Sequence, residues 1–207
     1  MVFLYINDKL PGSKVSKGIR FGISFGVLWL IGVIGMSIFF GSPLLHELLG
    51  GACDCAALII LGALLGAFIA TDSNRRSGGC PLCMLPAVII IAFFFVIGQY
   101  AAFLFMSKTP YFNISGPDTF LWTVILGVWA GVVYWLLQDG IDTGYTPVQR
   151  SVFFGGVVIG IDWLLFNLFV LLFVATPVLD PVILAILNIA SIIAGMFVHE
   201  RIRLEKM

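Results

Sequence analysis

The sequence predicts an all-α polytopic integral membrane protein with six transmembrane helices, on three observations. First, 60% of the 207 residues are hydrophobic and only 11% are charged, as eleven basic and eleven acidic side chains. An average soluble domain carries roughly 25% charged residues, and this chain has too few to coat a water-soluble globule. Its mean hydropathy of +1.10 agrees. Second, the apolar residues fall in six continuous runs, each near the ~20 residues that cross a hydrocarbon core of about 30 Å. Third, if the runs alternate in direction, ten of the eleven Lys and Arg residues fall on one face. A five- or seven-span arrangement scatters them. A soluble enzyme, a disordered tail and a nucleic-acid-binding domain are excluded.

The elements follow in order as a single transmembrane domain over residues 1–207. Residues 1–18 form a cytoplasmic or interfacial segment. Its apolar start, Met1 to Ile6, is too short for a signal-peptide core. The spans then run from about Phe21 to Phe40, Leu48 to Thr71, Met84 to Met106, Phe120 to Leu137, Ser151 to Ala175 and Pro181 to Val198. Gly-Pro clusters such as Gly41-Ser42-Pro43 and Gly116-Pro117 punctuate them. The runs do not alternate, so helices are preferred to a membrane barrel. Residues 199–207 form a tail. Lys9, Lys14, Lys17, Arg20, Arg75, Arg76, Arg150, Arg201, Arg203 and Lys206 share one face. The positive-inside rule makes that face cytoplasmic, with both termini inside, in what reads as a prokaryotic cell membrane.

A short internal pattern suggests three tandem helical hairpins. Gly22-x3-Gly26-x2-Trp29 matches Gly156-x3-Gly160-x2-Trp163, and a Pro follows each Trp by fourteen residues. Gly62-x3-Gly66 and Gly127-x3-Gly131 match as well. A transporter built from repeats shows such symmetry, and so do helices that merely pack closely through small residues.

Asp162 is the most informative position. It lies twelve residues past Arg150, about 18 Å deep at the helical rise. Every other acidic residue reads as lying at an end, a loop or a span mouth. An ionisable group at that depth marks a functional site by default, since an acid can donate a hydrogen bond or load and release a proton. Asn188 lies eleven residues from His199, at matching depth, with Ser191 on the same helical face. A contact between Asp162 and Asn188, with Ser191 beside it, is therefore expected as a midplane polar site. The plainer alternative is a structural interhelical hydrogen bond. Gln99 and Asn167 read as packing groups, Asn167 facing a different helix from Asp162.

The four cysteines form two pairs. Cys80-Pro81-Leu82-Cys83 stands where a helix begins, with Pro81 suited to the first turn. A helix N-terminus favours the reactive thiolate, so Cys80 and Cys83 are candidate redox thiols or a soft-metal contact for Cu(I), Zn or Hg. The spacing resembles the CxxC that membrane quinone-linked thiol oxidases place at a span entrance. Those families have a four-helix core and bring a second thiol pair to the same face, and this topology does neither. Cys53-Asp54-Cys55 at the outer mouth, with His46 and Glu47 upstream, gives candidate metal ligands in Cys53, Cys55 and His46. The two pairs fall on opposite faces, so one tetrahedral site cannot use all four thiols. Incidental, unreactive thiols are the plainer reading. His199-Glu200-Arg201 reads as a solvated helix end.

Three functions fit. One is a small-solute or ion permease with its polar site at Asp162 and Asn188. Another is membrane thiol redox or soft-metal handling. The third is a non-catalytic subunit of a homo-oligomer or larger membrane complex. Beyond that metal no cofactor is implied, and beyond the lipid bilayer and such a complex no partner. The chain leans away from being an enzyme.

Overall fold

The computed structural model describes residues 2–72, 81–106, 116–174 and 177–205. Among them regular structure is helical, with no strand. The elements are α1 (Val2–Ile6), α2 (Lys14–Phe40), α3 (Leu44–Ile69), α4 (Pro81–Met106), α5 (Pro117–Leu137), α6 (Pro147–Val152), α7 (Gly160–Val170) and α8 (Leu179–Glu205). A 3-10 turn, Gln138–Gly140, follows α5, and a π-helical stretch, Phe153–Ile159, joins α6 to α7. Six helical stretches are long and apolar enough to cross a membrane, with α6, the π-helical stretch and α7 forming the fifth. The expected class and number of spans stand.

Local chemistry sets the boundaries. Gly41 ends α2 in the left-handed conformation (φ 71°), its N–H bonding the Ser37 carbonyl, as a C-terminal glycine does. Pro43 then caps α3, which begins at Leu44, one turn before the expected Leu48. At α6, Thr146 and Gln149 form a reciprocal capping box, satisfying two donors that a helix start leaves open. The fifth crossing gives way to turns after Val170 rather than at Ala175, and α8 runs seven residues past Val198 to Glu205.

Glycines decide how closely the helices meet. A Cβ on Gly18 would stand 2.0 Å from the Gly62 carbonyl oxygen, and one on Gly66 2.4 Å from that of Lys14. The α2–α3 seam is therefore backbone on backbone, and dispersion replaces the hydrophobic drive that lipid removes. Gly127 and Gly131 bring α5 onto Ala92 and Val88 of α4, while Gly155 and Gly160 bring the fifth crossing onto Ile193 and Ile189 of α8. Each glycine pair faces its neighbour in sequence. In the third hairpin Gly155 makes the contact, one residue from Gly156 of the repeat register.

Around the bundle α2, α5, α4, α8 and α7 follow one another, while α3 lies outside, packed along α2. Aromatic rings fill the axis. Trp163 stacks on Phe166 with centroids 5.2 Å apart, and Trp122 donates its indole N–H to the Ile31 carbonyl at 2.6 Å. Gly32 and Gly35 make room for Phe166 and Trp122. The space left among them is a cavity of about 50 Å³.

The N-terminal segment folds against the bundle end. Phe3, Ile6 and Leu10 are buried, and Ile6 sits against Gly140. Lys17 is fully buried, its ammonium donating to the carbonyls of Asn7 and Thr71 at 2.7 Å each. Thr71 also donates its hydroxyl to Asp8, so the segment ties α2 to the end of α3.

Candidate functional site

Asp162 and Asn188 do not meet. Trp29 on α2 donates its indole N–H to Asp162, 3.2 Å from each carboxylate oxygen. Asn188 on α8 instead donates its amide to the Gln99 side-chain carbonyl on α4 at 2.6 Å. The two residues match in depth, but azimuth decides partners. The Asp162 face of α7 looks toward α2, and Asn188 looks toward α4. Ser191 turns its hydroxyl back onto the Leu187 carbonyl. Gly98 lies against it, where a Cβ would meet the Ser191 oxygen at 1.8 Å.

The two polar centres differ. Gln99 and Asn188 are fully buried. Their mutual bond leaves the Gln99 amide nitrogen and the Asn188 carbonyl oxygen without a partner among the described residues. Asp162 is partly exposed and opens into a lateral cleft of about 170 Å³, lined by Phe21, Phe25, Leu58, Val158 and Leu165. Its walls are apolar, and Trp29 is its side-chain hydrogen-bond donor. A carboxylate in that setting can exchange a proton or hold a small cation. Asn167 faces away from it, buried and donating to the Trp163 carbonyl.

A second acid lies on α3, one turn before a residue that lines this cleft. α3 starts early, so Asp54 stands ten residues into a 26-residue helix rather than at a span mouth. It is exposed. Asp54 precedes Leu58 by one turn on the same face, and Leu58 lines the Asp162 cleft. Gly26 packs on Cys55, and Trp29, which reaches Asp162, lies three residues beyond Gly26. The two carboxylates therefore lie within about one helical turn in depth. Asp54 thus lies within α3 and not at the helix mouth where the sequence places it.

The Cys53 and Cys55 pair is helical. Positions two apart on a helix do not face one another. Cys55 turns toward Gly26 and Cys53 outward, while His46 is exposed nearer the start of α3. Among the described residues no three His, Cys, Asp or Glu side chains converge on a metal-sized site. Cys80 lies outside the described residues. Cys83 lies within α4, its side chain outside them.

His199 and Glu200 are not solvated. They are 6% and 4% exposed, because α8 continues and α6 packs on it. Tyr134 donates its hydroxyl to Glu200 at 2.5 Å, and Arg150 and Arg203 approach the same carboxylate oxygen at 3.5 and 3.9 Å. Nearby, Lys9 bonds Asp142 at 2.5 Å. That bond, with the Gly144 N–H, holds the Asp142 carboxyl below its ordinary range.

No family model, curated protein or solved structure matches this chain.

Proposed function

We infer that the chain is a small permease for a proton or small cation, with Asp162 as the ion-binding group. The observation that carries this reading is the Asp162 carboxylate deep along the fifth crossing, opening to an apolar cleft with Trp29 as its donor. An acid is kept at such depth against its desolvation cost, and it marks ion pathways and proton relays. Asn188 and Gln99 then serve as an interhelical lock rather than as part of the pathway.

The test is flux in reconstituted vesicles. Asp162→Asn keeps an acceptor for Trp29 and removes the titratable group, so flux is lost while the protein stays folded. Normal proton and cation flux in that variant overturns the reading.

A second reading, a subunit of a membrane complex, is favoured by α3. It packs along α2, and Leu45, Ile60, Leu61, Leu64 and Phe68 stay exposed beside Asp54. Native mass measurement separates the two: a monomer that transports excludes the subunit reading, and an inert protein that migrates as a complex supports it.

A further inference from the structure

The Arg150 end of the bundle holds a cavity unrelated to the Asp162 cleft. It measures about 180 Å³ and lies between α6, α8 and the loop before α6, lined by Thr143, Tyr145, Arg150, Glu200 and Arg203. One water needs only ~10–15 Å³, so a polyatomic ligand fits. Two guanidinium groups flank a single carboxylate there, which leaves one net positive charge.

The carboxylate does not use up the arginines. Both approach one Glu200 oxygen at 3.5 and 3.9 Å, longer than a charge-assisted hydrogen bond of about 2.7–2.9 Å. The Arg150 Nε is buried with no hydrogen-bond partner among the described residues. Tyr134 takes the same oxygen at 2.5 Å from the bundle side, which fixes Glu200 in place. Guanidinium donors on two helices thus remain free to turn onto an anion. Planar forks of this kind match phosphate oxygens bidentately, and Thr143 and Tyr145 add to the lining. The cavity also sits where the fifth crossing begins and the sixth ends, at the level where headgroups meet a transmembrane bundle. Basic pockets between helices at that level bind anionic headgroups.

We propose that this cavity is a phosphate-binding site, held by Arg150 and Arg203, that takes a phosphate ester of a lipid headgroup or free phosphate. Glu200 acts as its positioning residue, drawing both arginines to the cavity and lowering the charge of the empty site from two to one.

The test uses the purified full-length chain in detergent and native mass spectrometry. The probes are phosphatidylglycerol, the phosphate-free diacylglycerol of the same chains, and inorganic phosphate. The wild type retains phosphatidylglycerol or inorganic phosphate and not diacylglycerol. Arg203→Gln, at a side chain 43% exposed and so tolerated by the fold, lowers affinity roughly tenfold, one charged contact's worth. Arg150→Lys keeps the charge, loses the fork and lowers it several-fold. If inorganic phosphate displaces the lipid or binds where the lipid does not, the free ion is a natural source; if the lipid binds and phosphate fails to displace it, the headgroup is. Either result supports the site. Equal retention of diacylglycerol, no retention of either phosphate probe, or wild-type affinity in Arg203→Gln and Arg150→Lys alike overturns it.

Discussion

Trp29 and Asp162, 133 positions apart, meet deep between α2 and α7, the indole N–H equidistant at 3.2 Å from both carboxylate oxygens. The bifurcated geometry splits one proton between two acceptors, so the bond is weak for a charged pair. Intramembrane hydrogen bonds contribute about 0.6 kcal/mol on average and at most about 1.7. Trp29→Phe keeps the ring packing on Phe166 and is expected to destabilise within that range. A double-mutant cycle with Asp162→Leu, read by reversible unfolding in mixed micelles, is expected to give a coupling near 0.6 kcal/mol. A coupling above about 2 kcal/mol contradicts the weak-bond reading.

Gln99 and Asn188 behave differently, because both are fully buried. Asn188→Leu strands the Gln99 carbonyl, and leaving a buried polar group unpaired costs about 1–3 kcal/mol. Gln99→Leu does the same to Asn188. The double variant is expected to recover most of the loss. Equal stability of the single and double variants, measured by the same unfolding, removes the pair as an interhelical lock.

The α2–α3 seam gives a prediction with an internal control. Gly62→Leu drives a side chain into the Gly18 carbonyl, which a Cβ alone would meet at 2.3 Å. Overpacking costs about 1–3 kcal/mol where side chains can give way, and here the obstacle is backbone, so separation of the two helices is expected. Gly50, on the same helix, has nothing within 4 Å. Gly50→Ala is expected to be neutral or stabilising by up to about 1 kcal/mol. Thermal melting that ranks the two variants the other way refutes the seam.

The N-terminal segment carries a pH dependence. The Lys9 hydrogen bond holds the Asp142 carboxyl below its ordinary 3.8. A group whose folded value is depressed contributes its stability above the unfolded value and loses it as pH falls through the folded one. Docking of residues 2–10 is therefore complete at neutral pH and weakens below about pH 4. Asp142→Asn removes that dependence. Hydrogen exchange of the Asn7 and Leu10 amides, compared at pH 6 and pH 3, reads it. Identical protection ratios in wild type and variant rule it out.

Class and span number were legible because both depend on sums: total charge, run length and the side on which Lys and Arg fall. Partners were not. Depth along a chain is counted in residues, so Asn188 and Asp162 were placed level, but which neighbour each faces is an angle set by packing. Asp54 reads as a span-mouth residue because Pro43, a helix cap, reads as loop punctuation, which puts the start of α3 a turn late. His199-Glu200 carried the polarity of a helix end, and nothing local announces that α6 folds over it. Lys17 gave no signal, because its partners Asn7 and Thr71 are backbone carbonyls, which every residue has.

The π-helical stretch Phe153–Ile159 has a consequence for any change in length of this chain. A π-turn holds one residue more than an α-turn, so this segment behaves as an α-helix with an insertion absorbed. Arg150 lies before it and Asp162 after it, so an ordinary helical wheel drawn through both gives the wrong angle between them. Loss of one residue there, Gly156 for instance, would let the crossing close into regular helix. It would leave the cleft carboxylate at nearly its present angle to the arginine at its foot, because the absorbed residue adds width to a turn and no net rotation. This crossing can therefore lose one residue between its two polar ends and still present both to the same neighbours, whereas a deletion in α7 itself would not.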